Sequence, residues 1–292
     1  MQASTNSRSA SIADEVTESL LRFDDDNNEE PVLLTDFPTV SDDGLVYTFE
    51  LKQGVHFTNG TELTSKDVKF TFERMFNPAT AAKSTAYFNM IKGAKDMLDG
   101  NATELAGFEI VDDYHFTITL DYAFAPFVKN LGTSYADIFP EDACTEAGEN
   151  WGLGTNLIGT GPYKIQENDD TTKVILVKNE DYHGGDVNLD ELQILFYDDD
   201  QTKLIAYENG DIDLADLNAS LLSQYKDKYA DEITAYYPLG TSFISMNLKD
   251  AYLSDVNVRK AISLAINREE LVDAVLNGAG IPATSYLNNG IP

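Results

Sequence analysis

Two rhythms run through the hydrophobic positions of this chain. The first has a period of two. Leu45, Tyr47, Phe49 and Leu51 alternate with Val46, Thr48 and Glu50, so an extended segment has one apolar face and one polar face, the pattern of a half-buried strand. Tyr114, Phe116, Ile118 and Leu120 repeat it in "YHFTITL". Further strands are predicted over Lys164–Gln166, Lys173–Lys178, Glu191–Asp198 and Ser242–Leu248. The second rhythm is helical. Val68, Phe72, Met75 and Phe76 fall on one face of a helix that Thr64 opens as N-cap, with Asp67 at the capping-box position. Asn77-Pro78 ends that helix. An apolar stripe of Ile12, Val16, Leu20 and Leu21 predicts an earlier helix over Ile12–Phe23, followed by a charged turn at Asp24–Asn28. Another helix is expected from Thr202 to Gly210. Near the end come two short helices, the second capped by Asn267 with Glu270 three residues on and closed by Gly278. Strands and helices alternate irregularly, which predicts a mixed α/β protein in more than one lobe.

Charge narrows the function. Of the 292 residues, 50 are acidic and 20 basic, giving a net charge of -30. Such a surface opposes binding to nucleic acid, which needs clustered Lys and Arg to neutralise phosphates. It also opposes attachment to an anionic membrane through a basic face. The acids are spread along the whole chain without a ligand pattern, so a strongly hydrated surface suited to high salt is expected rather than a metal site. The lone Cys144 excludes an intrachain disulfide and is expected to be a buried small side chain. His56, His115 and His183 show no metal-ligand spacing. No apolar run is long enough for a membrane span, and "MQASTNSRSAS" does not read as a signal peptide, so an exported form is expected to carry its targeting segment outside this sequence.

The stretch "IGTGPYKI" (residues 158–165) has two glycines around a hydroxyl residue, as a phosphate loop does. A P-loop needs Lys and Ser/Thr directly after its glycines, and a dinucleotide fingerprint needs a third Gly opening a helix. Pro162 instead removes an N–H where an anion cradle needs one, and the following residues predict a strand. The motif is therefore expected to be a turn in which Gly159 and Gly161 serve backbone geometry. The sequence contains no G-x-S-x-G elbow, and its histidines have no evident nucleophile partner. Chance pairs of carboxylates are expected in so acidic a chain, and a carboxylate-based hydrolase stays open only on that ground.

Four stretches, in order, resemble the family 5 extracellular solute-binding proteins of ABC importers, which include oligopeptide-, dipeptide- and nickel-binding proteins. They are "DDGLVYTFELKQGVHFTNGTELTSKDVKFTFERMFNP" (42–78), "GTGPY" with "VKNEDYHGG" (177–185), "AYENGDIDLAD" (206–216) and "DVNVRKAISLAINREELVDAVLNGAG" (255–280). The resemblance implies an α/β, two-lobed periplasmic-binding-protein-like fold of type II with an inserted extra domain, truncated within the second lobe. It implies a first-lobe segment over 1–40, an inserted domain over 41–157, the first lobe again over 158–240, and the start of the second lobe over 241–292. It also implies capture of a short peptide outside the cell and delivery to a membrane permease, without catalysis, cofactor or metal. The full-length form is expected to be monomeric, and lipid-anchored on the cell surface or in the periplasm. Other solutes of the family, such as a sugar or a metal chelate, and a chaperone-like role remain alternatives. A nickel chelate is disfavoured, because the single Trp151 lies in "GENWG" and no Arg stands between Arg74 and Arg259. By position in the family, Tyr87, Asp216, Asn218, Phe243, Asn6 and Arg8 are the candidate ligand contacts. Packing in a core is the competing reading for Phe243, a helix-face position for Tyr87 and a solvated loop for Asp216 and Asn218.

Overall fold

Alternation becomes a sheet wherever a second strand lies alongside. In the computed structural model, which describes residues 7–24, 26–234 and 240–288, Val46–Glu50 (β4) is flanked by Thr39–Val40 (β3) and His115–Thr119 (β6), and β6 pairs in turn with Phe108–Ile110 (β5). All these pairings are antiparallel. The β4–β6 register sets Phe49 opposite Phe116. Their rings stack at 4.8 Å, and Phe108 stacks on Phe116 at 5.0 Å. The inward faces of both predicted strands are buried: Tyr47, Phe49, Leu51, Phe116, Ile118 and Leu120.

Against this sheet packs Ser65–Phe76 (α2). The Asp67 carboxylate accepts the Thr64 backbone N–H at 2.9 Å, one half of the predicted capping box. Val68, Phe72, Met75 and Phe76 are buried as the helical period requires. Phe72 meets Phe88 edge-on at 5.4 Å. Burial of each such side chain contributes about 1.5–3 kcal/mol. Short elements complete the layer: Ala94–Leu98 (α3), Phe127–Asn130 (α4) and Glu141–Ala147 (α5).

A second antiparallel sheet follows, Tyr163–Asn168 (β7), Lys173–Lys178 (β8) and Glu191–Leu195 (β9), with a bulge between Ile165 and Glu167. Tyr163, Val174 and Leu176 share a smaller core with Ala13, Val16, Phe139, Cys144, Trp151 and Leu157. Cys144 is thus the buried small side chain expected, and burial pushes its thiol pKa up.

The predicted helix over Ile12–Phe23 is corrected. The helix is Ser7–Asp14 (α1), and Leu21–Phe23 (β1) pairs with Glu29–Pro31 (β2). The cause is competition for the backbone. The Val16 carbonyl accepts the Gly161 N–H, the Leu20 carbonyl accepts from Val32 and Leu33, and the Leu21 N–H donates to Leu131. These long-range bonds outweigh a helical stripe that is apolar on either reading.

Met1–Phe196 form one compact unit and Tyr197–Pro292 another. The second contains Asp200–Asn209 (α6), Ala219–Tyr225 (α7), Val256–Ala265 (α8) and Arg268–Val275 (α9). Asp199 caps α6, accepting the Thr202 N–H at 2.8 Å, and Gly210 ends it in the left-handed conformation. Asn267 caps α9 through the Glu270 N–H at 3.2 Å, and Gly278 closes it with φ +79°. The predicted strand over Ser242–Leu248 is not formed. No strand lies alongside these residues among the described ones, and a strand exists only as a pair. No helix among the described residues is long and apolar enough to cross a membrane.

Candidate ligand-binding site

The turn at 158–162 is a joint between chain segments. A Cβ on Gly159 would lie 2.2 Å from the Val16 carbonyl oxygen, and one on Gly161 would lie 2.7 Å from the Val16 carbonyl carbon. Neither glycine has a left-handed φ, so what demands glycine here is the close approach of two backbones. The Gly161 N–H donates to the Val16 carbonyl at 2.9 Å and the Gly159 carbonyl accepts the Thr58 N–H at 2.8 Å. Asn179 closes the other side, donating from its side chain to the Gly161 carbonyl and from its backbone to Pro162. The Gly161 N–H of a would-be phosphate cradle is thereby committed, and the turn reading holds.

Between the glycines, Thr160 is fully buried and donates to the Glu18 carboxylate at 2.8 Å. The same carboxylate accepts the Tyr182 hydroxyl at 2.8 Å and lies 2.7 Å from His183 Nε2. Burial and then the Glu18 charge hold the Tyr182 phenol well above its usual pKa. Two segments far from it in sequence thus converge on one half-buried acid. Beside it, Asp137 takes hydrogen bonds from Thr17 at 2.7 Å and Ser19 at 2.8 Å. The motifs around Thr160 and Tyr182 stand out in the sequence, but nothing in it marks Glu18 or Asp137 as their partners.

Tyr87 closes a short 3-10 turn, Thr85–Tyr87. It is 43% exposed and stacks on Tyr135 at 4.8 Å, while its carbonyl accepts from Asn130 Nδ2 at 2.7 Å. The ring is therefore both held and presented. In the second unit, Asp216 and Asn218 come together on one short network. Lys203 bridges Asp200 at 2.8 Å and Asp216 at 2.7 Å, and the Asn218 side chain donates to Asp200 and caps α7 through the Leu221 N–H. Burial opposes the Lys203 charge, but its carboxylate partners outweigh it and raise its pKa. Phe243 is 61% exposed and rests against Tyr286 at 4.9 Å, so it does not fill a core among the described residues. Trp151 does, edge-on to Phe139 at 5.6 Å. Asn6 lies outside the described residues. Of Arg8 only the backbone, in α1, is described.

Comparison with known proteins gives a consistent pattern. A model of the bacterial extracellular solute-binding proteins, family 5 (middle region), matches residues 28–292. The periplasmic oligopeptide-binding protein OppA of Salmonella typhimurium is 27% identical over 248 residues, 82% of this chain and 46% of OppA. Heme-binding protein A of Haemophilus influenzae is 30% identical over 260 residues, 85% of this chain and 47% of that protein. A solved structure of Listeria monocytogenes OppA bound to peptide matches with a TM-score of 0.82 at 26% identity, over 98% of this chain and 58% of that one. The chain spans about half the length of the relatives it matches. The structural neighbours are two-lobed, mixed α/β binding proteins of the OppA type, as the sequence motifs led one to expect. With a family model covering most of its length and the same architecture in its neighbours, the chain belongs to the family 5 bacterial extracellular solute-binding proteins.

Proposed function

We propose that this chain belongs to the substrate-binding component of an ABC importer, which captures a short peptide outside the cell and hands it to the membrane permease without chemical turnover. The observation that carries the reading is the likeness to peptide-bound Listeria OppA over 98% of the chain. The held and exposed Tyr87 adds to it. In this reading Tyr87, Asp216, Asn218, Phe243, Asn6 and Arg8 contact the ligand. An extended peptide pairs with backbone groups while hydrated pockets take varied side chains. Lobe closure is a population shift driven by the ligand. The division into a first lobe (1–40 and 158–240), an insertion (41–157) and the start of a second lobe (241–292) belongs to the same proposal, as do monomeric state and lipid anchoring outside the cell.

A haem ligand is the second reading, favoured by the 30% identity to heme-binding protein A. The test is a thermal-shift and small-angle scattering titration of the protein expressed from its complete gene. A di- to pentapeptide library is one arm and haem the other. The expected result is a higher melting temperature and a more compact particle with peptides alone. Response to haem with silence toward every peptide would replace the first reading by the second.

A further inference from the structure

The signature Asn-X-Ser/Thr, which marks an acceptor for N-linked sugar on surface loops of exported proteins, occurs at Asn59, Asn101 and Asn218, with Thr61, Thr103 and Ser220 two places on. The fold treats these positions differently. Asn218 is committed: its Oδ1 accepts the Leu221 N–H at 3.2 Å as the cap of α7, and its side-chain nitrogen donates to Asp200. Asn101 is exposed, but no hydrogen bond among the described residues links it to Thr103. Asp96, Asp99 and Glu104 also stand close to it in the sequence.

Asn59 differs from both. It sits at the tip of a hairpin whose legs are joined by the Phe57 N–H to the Thr61 carbonyl and the Leu63 N–H to the Val55 carbonyl, each at 2.8 Å. The Gly60 N–H donates to the Phe57 carbonyl at 2.8 Å and Gly60 takes a φ of +86°, the geometry of a short hairpin loop closed by a bulge. Phe57 is buried and roots the loop, while Asn59, Gly60 and Thr61 are exposed. A Cβ on Gly60 would meet nothing within 4 Å, so the tip stands in open space. Thr61 reaches back to Asn59 Oδ1 twice, with its backbone N–H at 3.1 Å and its hydroxyl at 2.8 Å. A backbone N–H can only donate, so the atom it meets is the side-chain oxygen. Asn59 Nδ2 is then left without a hydrogen bond among the described residues. Both bonds draw electron density towards Oδ1 and so make the Nδ2 protons more acidic. The hydroxyl that the signature requires is thus in contact with the amide it would activate.

We propose that Asn59 is an N-glycosylation site, the amide acceptor for an oligosaccharide delivered from a lipid-phosphate carrier by a transferase outside the cell. Nδ2 attacks the anomeric carbon of the first sugar. The C–N bond forms as the C–O bond to phosphate breaks, the phosphate leaves with the bonding pair, and the amide gives up one proton. The displacement needs neither oxidant nor reductant. Charge favours the same position. The carrier is anionic, and a chain of net charge -30 repels it in general. Residues 53–61 nevertheless contain no acid. Glu62, which follows them, is engaged by the Gly54 N–H and the Tyr114 hydroxyl. The proposal rests on the extracellular placement in the proposed function, and not on the identity of the ligand.

The test uses the protein isolated from the cells that encode it, with its placement fixed by protease digestion of intact cells. Trypsin separates the three signatures onto peptides 53–66, 96–129 and 204–226. Mass spectrometry is expected to find a sugar increment on 53–66, with fragmentation placing it on Asn59, and to find 204–226 bare. Asn59→Gln and Thr61→Ala should each abolish the increment, and Thr61→Ser, which keeps the hydroxyl, should retain it. If a variant does not accumulate, the wild-type peptide map decides alone. A wholly bare 53–66 in protein that the external protease reaches overturns the proposal and leaves the binding function untouched. Bare protein sheltered inside the cell overturns the external placement and both readings with it. An increment that survives Thr61→Ala overturns the role given to Thr61. Glycosylated protein that binds no peptide overturns the proposed ligand and leaves the site standing.

Discussion

The two compact units solve the same problem of secondary structure by different means. Residues 1–196 bury two apolar clusters, and in the larger one Phe49, Phe72, Phe76, Phe88, Phe116 and Phe127 are all almost fully enclosed. In residues 197–292 the buried apolar side chains among the described residues are Leu204, Ala206, Tyr225 and Val272. Leu214, Tyr252, Leu264 and Tyr286 are exposed there. The helices of that unit carry side-chain caps at Asp199, Asn218, Asp255 and Asn267. Local hydrogen bonds thus define its elements where packing defines those of the first unit. Core packing is the larger energy by several-fold, so the two regions should differ sharply in their response to the same kind of substitution.

The largest contrast is expected between Phe116→Ala and Leu264→Ala. The first empties the stacked centre of the sheet and should cost about 3–5 kcal/mol. The second trims an exposed side chain and should stay within about 0.5 kcal/mol. Urea unfolding of both variants measures the difference, and comparable losses would show that Leu264 is covered in solution. Glycine substitutions sharpen the comparison. Gly159→Ala forces a methyl group against the Val16 carbonyl and should cost about 1–3 kcal/mol as overpacking. Gly240→Ala meets nothing within 4 Å and should be neutral or slightly stabilising, since it only restricts the unfolded chain. A Gly159→Ala variant as stable as wild type would mean the two backbones part easily.

In the second unit the sensitive positions should be caps. Asn267→Ala is expected to cost about 1 kcal/mol, visible as lost helicity in far-ultraviolet circular dichroism. An unchanged spectrum would show that α9 owes its stability to packing after all. The smallest effect per site, and one shared by both units, comes from salt. Raising NaCl from about 0.1 M to about 1 M shortens the screening length from about 10 Å to about 3 Å. With a net charge of -30, self-repulsion weakens and the melting temperature should rise. A flat or falling profile would show that the acids do not strain the folded state.

The elements legible in the sequence share one property: their signal is local. The alternation in 45–51 and 114–120 and the Thr64 and Asn267 caps are each complete within one element and were found where expected. The stripe at 12–23 was misread because its backbone partners, Leu131, Val32 and Gly161, come from elsewhere in the chain. Ser242–Leu248 shows the converse, a segment expected as a strand without another strand beside it among the described residues. The candidate site divides in the same way. Tyr87 could be singled out by family position, but its support from Tyr135 and Asn130 could not. Glu18 and Asp137 were invisible, since their partners lie more than a hundred residues away in the chain. One acid among fifty carries no mark until the fold buries it.

The joint at Gly159 and Gly161 bears on the order in which the molecule assembles. The bond from the Gly161 amide to the Val16 carbonyl closes a loop that contains most of the first unit. Loop closure over so long a chain is entropically costly, and it is made good only when the intervening layers have already formed. This contact should therefore be among the last to form in folding. By the same reasoning it should be among the first lost, so the Gly161 amide is expected to exchange its hydrogen with solvent through an opening that leaves the sheets formed, at a lower free energy than the core amides of β4 and β6.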